Sequence, residues 1–133
     1  MKIVIDCNVL IAASLKDGMC RKVLCNVIQS HESYISEPIL LGFLQVARRH
    51  KFKQYQAHLE YYIQLYAEVA QVLTPQPCKI DLPDKKDIMY LDLCTSTQAA
   101  YLITGNSKGF PDKKYGETII ISPPEFYEKY MTF

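Results

Sequence analysis

Apolar residues along this chain follow two rhythms. Short unbroken runs, namely Ile3-Val4-Ile5, Tyr34-Ile35, Val72-Leu73, Tyr101-Leu102-Ile103 and Ile119-Ile120-Ile121, read as buried strands. Elsewhere apolar positions recur at three- and four-residue steps, as in Tyr55, Leu59, Tyr62, Ile63, Tyr66 and Ala70, which specifies helices packing one face. The pattern predicts strands over 2–6, 34–35, 71–73, 101–104 and 118–121. It predicts helices near 8–15 and 19–30, from 37 to about 50, over 53–70, from 88 to about 100, and from 123 to about 131. Strands alternating with helices are the rhythm of a parallel sheet with crossover helices.

Punctuation residues sharpen several boundaries. Ser36, Glu37 and Pro38 open the third helix well: Ser caps, Glu favours the positive helix end, and Pro is tolerated in the first turn. Ser122-Pro123-Pro124-Glu125 has the spacing of a capping box. Thr74-Pro75-Gln76-Pro77 breaks regular structure ahead of a polar loop that closes at Asp84-Lys85-Lys86-Asp87. Residues 105–116 carry the Gly, Pro, Asn, Asp and Lys of an exposed connection. No repeat or low-complexity segment divides the chain, so its 133 residues are expected to form one domain, 1–133, with a core that needs no disulfide.

Composition narrows the class. Apolar content of 49% with 22% charged residues is globular, and neither an apolar run of transmembrane length nor a secretory signal pattern is present, so a soluble, cytoplasmic protein without membrane contact is expected. Five cysteines (Cys7, Cys20, Cys25, Cys78 and Cys94) are odd in number and lack a CxxC pair, which favours buried free thiols. His31, His50 and His58 lack zinc-ligand spacing and read mostly as surface residues. A net charge of +1 excludes a chain-wide draw toward nucleic acid. Any polynucleotide contact must use local clusters, either Arg48, Arg49, Lys51 and Lys53 or Lys108, Lys113 and Lys114.

Candidate chemistry gathers at strand ends. Asp6 stands where the first strand stops, at the mouth where open α/β sheets bind ligands. As a helix N-cap it would need no further role; as a functional carboxylate it is suited to a hard divalent cation. Asp87 begins the helix before the fourth strand, and Asn106 follows that strand directly. If the strands are parallel neighbours, oxygens at 6, 87 and 106 converge on a Mg²⁺ or Mn²⁺ site able to activate water against a phosphodiester.

Four stretches carry a family resemblance: Ile5-Asp6-Cys7-Asn8-Val9-Leu10, Asp84-x-x-Asp87 before a helix, Tyr101-Leu102-Ile103-Thr104-Gly105-Asn106, and Ile121-Ser122-Pro123-x-Glu125-Phe126. Together the chain resembles PIN-domain proteins, specifically the short toxin-like kind paired with an antitoxin in bacterial and archaeal operons. The resemblance implies a three-layer α/β/α fold with a mostly parallel sheet of four to five strands. It also implies a magnesium-dependent endoribonuclease in which acidic residues hold one or two ions against RNA. Carried over by position, Asp6 matches the first acid and Asp87 the third, Asp84 is a nearby helper, and Asn8 matches an Asn that orients the first acid or a metal-bound water. Lys108 and Lys113 are candidate phosphate contacts. An antitoxin and a homodimer are implied partners, with the Tyr-rich helix and the first two helices as candidate surfaces.

Two positions depart from the family pattern. Gly42 stands where the second acid belongs, and Asn106 stands where the fourth is often Asp; Gly109 precedes the loop Phe where relatives offer another Asp. Asp6 and Asp87 alone supply two negative charges, which suits one Mg²⁺ better than two. Glu37 is a poor substitute for the missing acid, because five helical residues separate it from position 42 by ~7.5 Å along the axis. The departures motivate an alternative: a catalytically decayed PIN fold that binds RNA or a protein. A phosphatase would require a second Asp at position 8, which is Asn, and a receiver domain would require paired acids after the first strand, so both are disfavoured.

Overall fold

Residues 1–132 are described by the computed structural model. The chain begins with β1 (Lys2–Ile5), α1 (Cys7–Leu15), α2 (Met19–Ser30), β2 (Glu32–Ile35) and α3 (Glu37–Ala47). A 3₁₀ segment (His50–Tyr55) leads into α4 (Gln56–Val69) and the two-residue β3 (Gln71–Val72). After a long loop come a 3₁₀ turn (Lys85–Asp87), α5 (Ile88–Thr97) and β4 (Tyr101–Ile103). A second 3₁₀ turn (Ser107–Gly109), β5 (Lys114–Tyr115), β6 (Thr118–Ile121) and α6 (Pro123–Tyr130) complete the order.

The strands form one sheet in the order β3-β2-β1-β4-β6-β5. All pairings are parallel except β5 against β6. The expected five strands are present, and the sixth is β5, a two-residue edge strand within the loop over 105–116. Helices flank the sheet in three layers, so Ile3, Val4 and Ile5 of β1 and Tyr101, Leu102 and Ile103 of β4 are all buried.

The topology locates the site. From β1 the chain winds outward through β2 to β3, then returns to the other side of β1 as β4 and continues to β6. Between β1 and β4 the winding reverses, and ligands in open α/β sheets bind outside the carboxyl ends of strands at that reversal. Ile5 pairs with Ile103 there, and the Asp6 amide continues the ladder to the Ile103 carbonyl at 2.9 Å.

Three helix boundaries differ from the sequence pattern. The third helix ends at Ala47, and 50–55 is 3₁₀, held by Gln56, whose Nε2 donates to the carbonyls of Ala47 at 2.7 Å and Phe52 at 3.1 Å. Helix α5 stops at Thr97 because Gln98 takes a left-handed conformation (φ 55), a role that glycine would have announced. Leu59, Ile63, Tyr66 and Ala70 of the Tyr-rich stripe are buried against the core, and the Tyr66 hydroxyl donates to the Tyr34 carbonyl at 3.2 Å. Tyr61, beside that stripe, stays 61% exposed, edge-on to Tyr62.

Candidate active site

A cavity of about 800 Å³ opens beside the β1 end, with Asp6, Asn8, Asp84 and Asp87 at its polar end. Asp6 is the N-cap residue of α1, yet its side chain makes no capping hydrogen bond. Its Oδ2 instead accepts from Thr104 Oγ1 at 2.7 Å. Burial pushes the Asp6 carboxyl above the usual range, opposed chiefly by the Thr104 hydrogen bond and to a lesser degree by the polar groups of α1's first turn and by Tyr90, although no first-turn amide closes to a capping bond. The Tyr90 hydroxyl also accepts from the Cys7 amide at 3.0 Å, so α5 and the start of α1 are tied at the acid.

Asp87 is half-buried at the start of α5. Its carboxyl is pushed up to about 6, first by burial and then by the negative charges of Asp6 and Asp84. Asp84 is exposed and accepts from the Lys86 amide at 2.9 Å, which shapes the turn that delivers Asp87. Gly109 makes room for the Asp87 carboxylate: a Cβ at that position would stand 2.7 Å from Asp87 Oδ2 and 3.3 Å from Asn106 Nδ2. Absence of a side chain at 109 thus makes Asp87 and Asn106 neighbours.

Asn106 is anchored through its backbone, the amide donating to Thr104 Oγ1 at 3.0 Å. A single hydroxyl therefore connects Asp6 with the loop carrying Asn106. Asn8 reaches the same loop, its Oδ1 accepting from the Gly105 amide at 3.1 Å. Asp6, Asn8, Asp84, Asp87 and Asn106, drawn from three chain segments, share one mouth.

The basic candidates divide. Lys113 lines a separate cavity with Tyr101, Ile119 and Lys129. Lys108 lies on the exposed turn before Gly109, outside the lining of the main cavity. Arg49, Lys51 and Lys86 border the main cavity instead. Arg49 reaches far enough for its charge to act on the Cys7 thiol, which burial and Asp6 push up to about 12. Thr104 and Tyr90 are neighbours of Asp6 that sequence reasoning missed. Thr104 lay inside a quoted motif, whereas Tyr90 carried no signal beyond its place three residues after Asp87.

The PIN domain family matches residues 2–108, a span that holds Asp6, Gly42, Asp87 and Asn106. The chain belongs to the PIN-domain family. Among solved structures, this PIN domain is similar to a chain of VapBC2 from Rickettsia felis, determined bound to a DNA fragment from their promoter. The TM-score is 0.65 at 17% identity, over 92% of this chain and 98% of that one, a likeness of fold. No curated protein matches the sequence.

The donor set suits one hard cation. Among the described residues no three His, Cys, Asp or Glu side chains cluster as a metal cage. Mg²⁺ is nevertheless commonly held by one or two carboxylates, with water filling the remaining positions. Repulsion from Asp6, which adds to burial in raising the Asp87 carboxyl, is the kind of interaction that a bound dication relieves. Gly42, at the position of the missing acid, faces the same cavity from α3, and a Cβ there would meet only Met89 Cε, at 3.2 Å.

Proposed function

We propose that this PIN domain is a divalent-metal-dependent endoribonuclease and the toxin of a toxin–antitoxin pair. The observation that carries the proposal is the pair of carboxylates, Asp6 and Asp87, lining one cavity at the reversal point of the sheet, close enough that the Asp6 charge adds to burial in raising the proton affinity of Asp87. Asp6 and Asp87 would hold Mg²⁺ or Mn²⁺, with Asp84 and Asn106 as outer partners through water. When bound, the ion supplies a water of lowered pKa and neutralises charge on a phosphodiester. Thr104 and Tyr90 orient the Asp6 carboxylate and favour its ionised form against burial, Asn8 fixes the loop that presents Asn106, and the basic residues at the rim attract the RNA backbone.

Partner assignments follow from kinship. An antitoxin partner, which the likeness to a chain of VapBC2 supports, would lie over the acidic mouth, and the homodimer expected of the family is measurable by light scattering. Among the described residues no helix is long and apolar enough to cross a membrane.

Purified protein with Mg²⁺ or Mn²⁺ should cleave RNA, and Asp6→Asn or Asp87→Asn should reduce the rate by at least about a hundredfold, the scale on which lost electrostatic stabilisation of a transition state is felt. Unchanged cleavage in both variants rejects the assignment. A second reading, a decayed fold that binds without cutting, is favoured by Gly42 and Asn106 at acidic positions. It requires that calorimetry find no Mn²⁺ binding at millimolar concentration.

A further inference from the structure

We propose that the opening at Gly42 seats an unpaired nucleobase, so that this PIN domain selects single-stranded RNA through base stacking as well as through phosphate contact. The proposal rests on the nuclease function above and names the substrate feature that the same cavity recognises. Its starting point is the cavity's composition. A site serving only a metal ion and a phosphate needs carboxylates and cations, yet this one extends from Asp6 and Asp87 into a wall of Ile11, Leu41, Val46, Phe52 and Met89. At about 800 Å³ it lies within the ~300–1,000 Å³ of sites that enclose small organic groups.

Gly42 creates the room. Glycine within a helix weakens it, and such a residue is usually explained by a neighbour that approaches too closely for a side chain. Here the one such neighbour among the described residues is Cε of Met89, 3.2 Å from a Cβ at position 42, and it is the free end of a flexible side chain that can give way. Packing would therefore admit a side chain at modest adjustment, and its absence leaves the space open to the cavity.

Charge identifies the occupant. Arg49, Lys51 and Lys86 line the same cavity as the apolar wall, and Lys51 Nζ lies 5.0 Å from the centre of the Phe52 ring. Aromatic surface interleaved with cations is the arrangement that binds single strands, the ring stacking on a base while the cations hold the backbone. Gln45 at the same border offers a donor and an acceptor to a base edge. An apolar peptide would leave the three cations without partners, and duplex RNA keeps its bases stacked internally.

The test uses the whole protein, chelator to prevent cleavage, and a fluorescent single-stranded oligoribonucleotide. Scanning a single abasic residue along the strand should reveal one position where loss of the base weakens binding on the order of tenfold, the scale of one stacked base. Gly42→Leu, which fills the opening, and Phe52→Ala, which removes the ring without crowding, should each weaken binding similarly and abolish the abasic penalty. Mn²⁺ affinity by calorimetry should be unaltered in both variants. Equal binding of intact and abasic strands, binding of duplex as tight as single strand, or absence of RNA binding overturns the proposal. If Mn²⁺ fails to bind while base-dependent affinity persists, the nuclease assignment falls and the base seat stands. If Mn²⁺ binds and RNA is cut without any abasic penalty, only the base seat falls.

Discussion

Thr104 shows how much a single hydroxyl can organise. It donates to buried Asp6 and accepts from the Asn106 amide, so one side chain joins the ends of β1 and β4. Thr104→Val keeps the shape and removes both bonds. An unsatisfied buried acceptor costs about 1–3 kcal/mol, so urea unfolding should show that loss for Val while Thr104→Ser retains most of the stability. Asp87 makes a separate prediction in pH. Its carboxyl titrates near 6 when folded, above the ordinary 3.8, so the folded state binds the proton more tightly than the unfolded chain. Stability of the metal-free protein should therefore fall as pH rises from about 4 through 6, the sign opposite to that of a salt-bridged Asp. Asp6 is shifted in the same direction and adds to the effect. Thermal melts across that range should show the decline, and Asp87→Asn should flatten it.

At the scale of elements, local chemistry governed some boundaries and tertiary contacts governed others. The α6 capping box forms as its sequence implies, with Ser122 Oγ accepting from the Glu125 amide at 3.2 Å and Glu125 Oε1 accepting from the Ser122 amide at 3.3 Å. Ser122→Ala should cost about 1 kcal/mol, read as a lower urea midpoint at constant slope. The end of α5 was illegible for the converse reason: Gln98 adopts the left-handed cap without the glycine that usually marks it. In α4 the apolar stripe identified the buried face. That face is spent on the protein's own core, leaving Tyr61 as its exposed aromatic remnant.

Across the whole molecule, the site exists because two strands distant in sequence lie side by side. Asp6 and Thr104 are 98 residues apart along the chain, and only the parallel pairing of β1 with β4 makes them partners. Gly42 and Gly109 tune this shared space differently: Gly109 admits the Asp87 carboxylate, whereas Gly42 leaves a gap across the cavity. Gly42→Glu restores a third acid. It should destabilise the metal-free protein by like-charge repulsion and enlarge the Mn²⁺-induced rise in melting temperature relative to wild type. For scale, a ligand at a hundredfold excess over its dissociation constant adds about 2.7 kcal/mol. Melting curves with and without Mn²⁺ measure both effects.

Order and type of the elements, the polar residues at strand ends and the family motifs were present in the linear pattern, because period, capping and turn chemistry act over a few residues. Tertiary structure alone decided which neighbours those residues meet. Tyr90 at Asp6, Asp87 in the space left by Gly109, and Arg49 rather than Lys113 at the main cavity depend on how the sheet folds back between β3 and β4. Contacts between segments so far apart are set by packing geometry, which no local run of residues encodes.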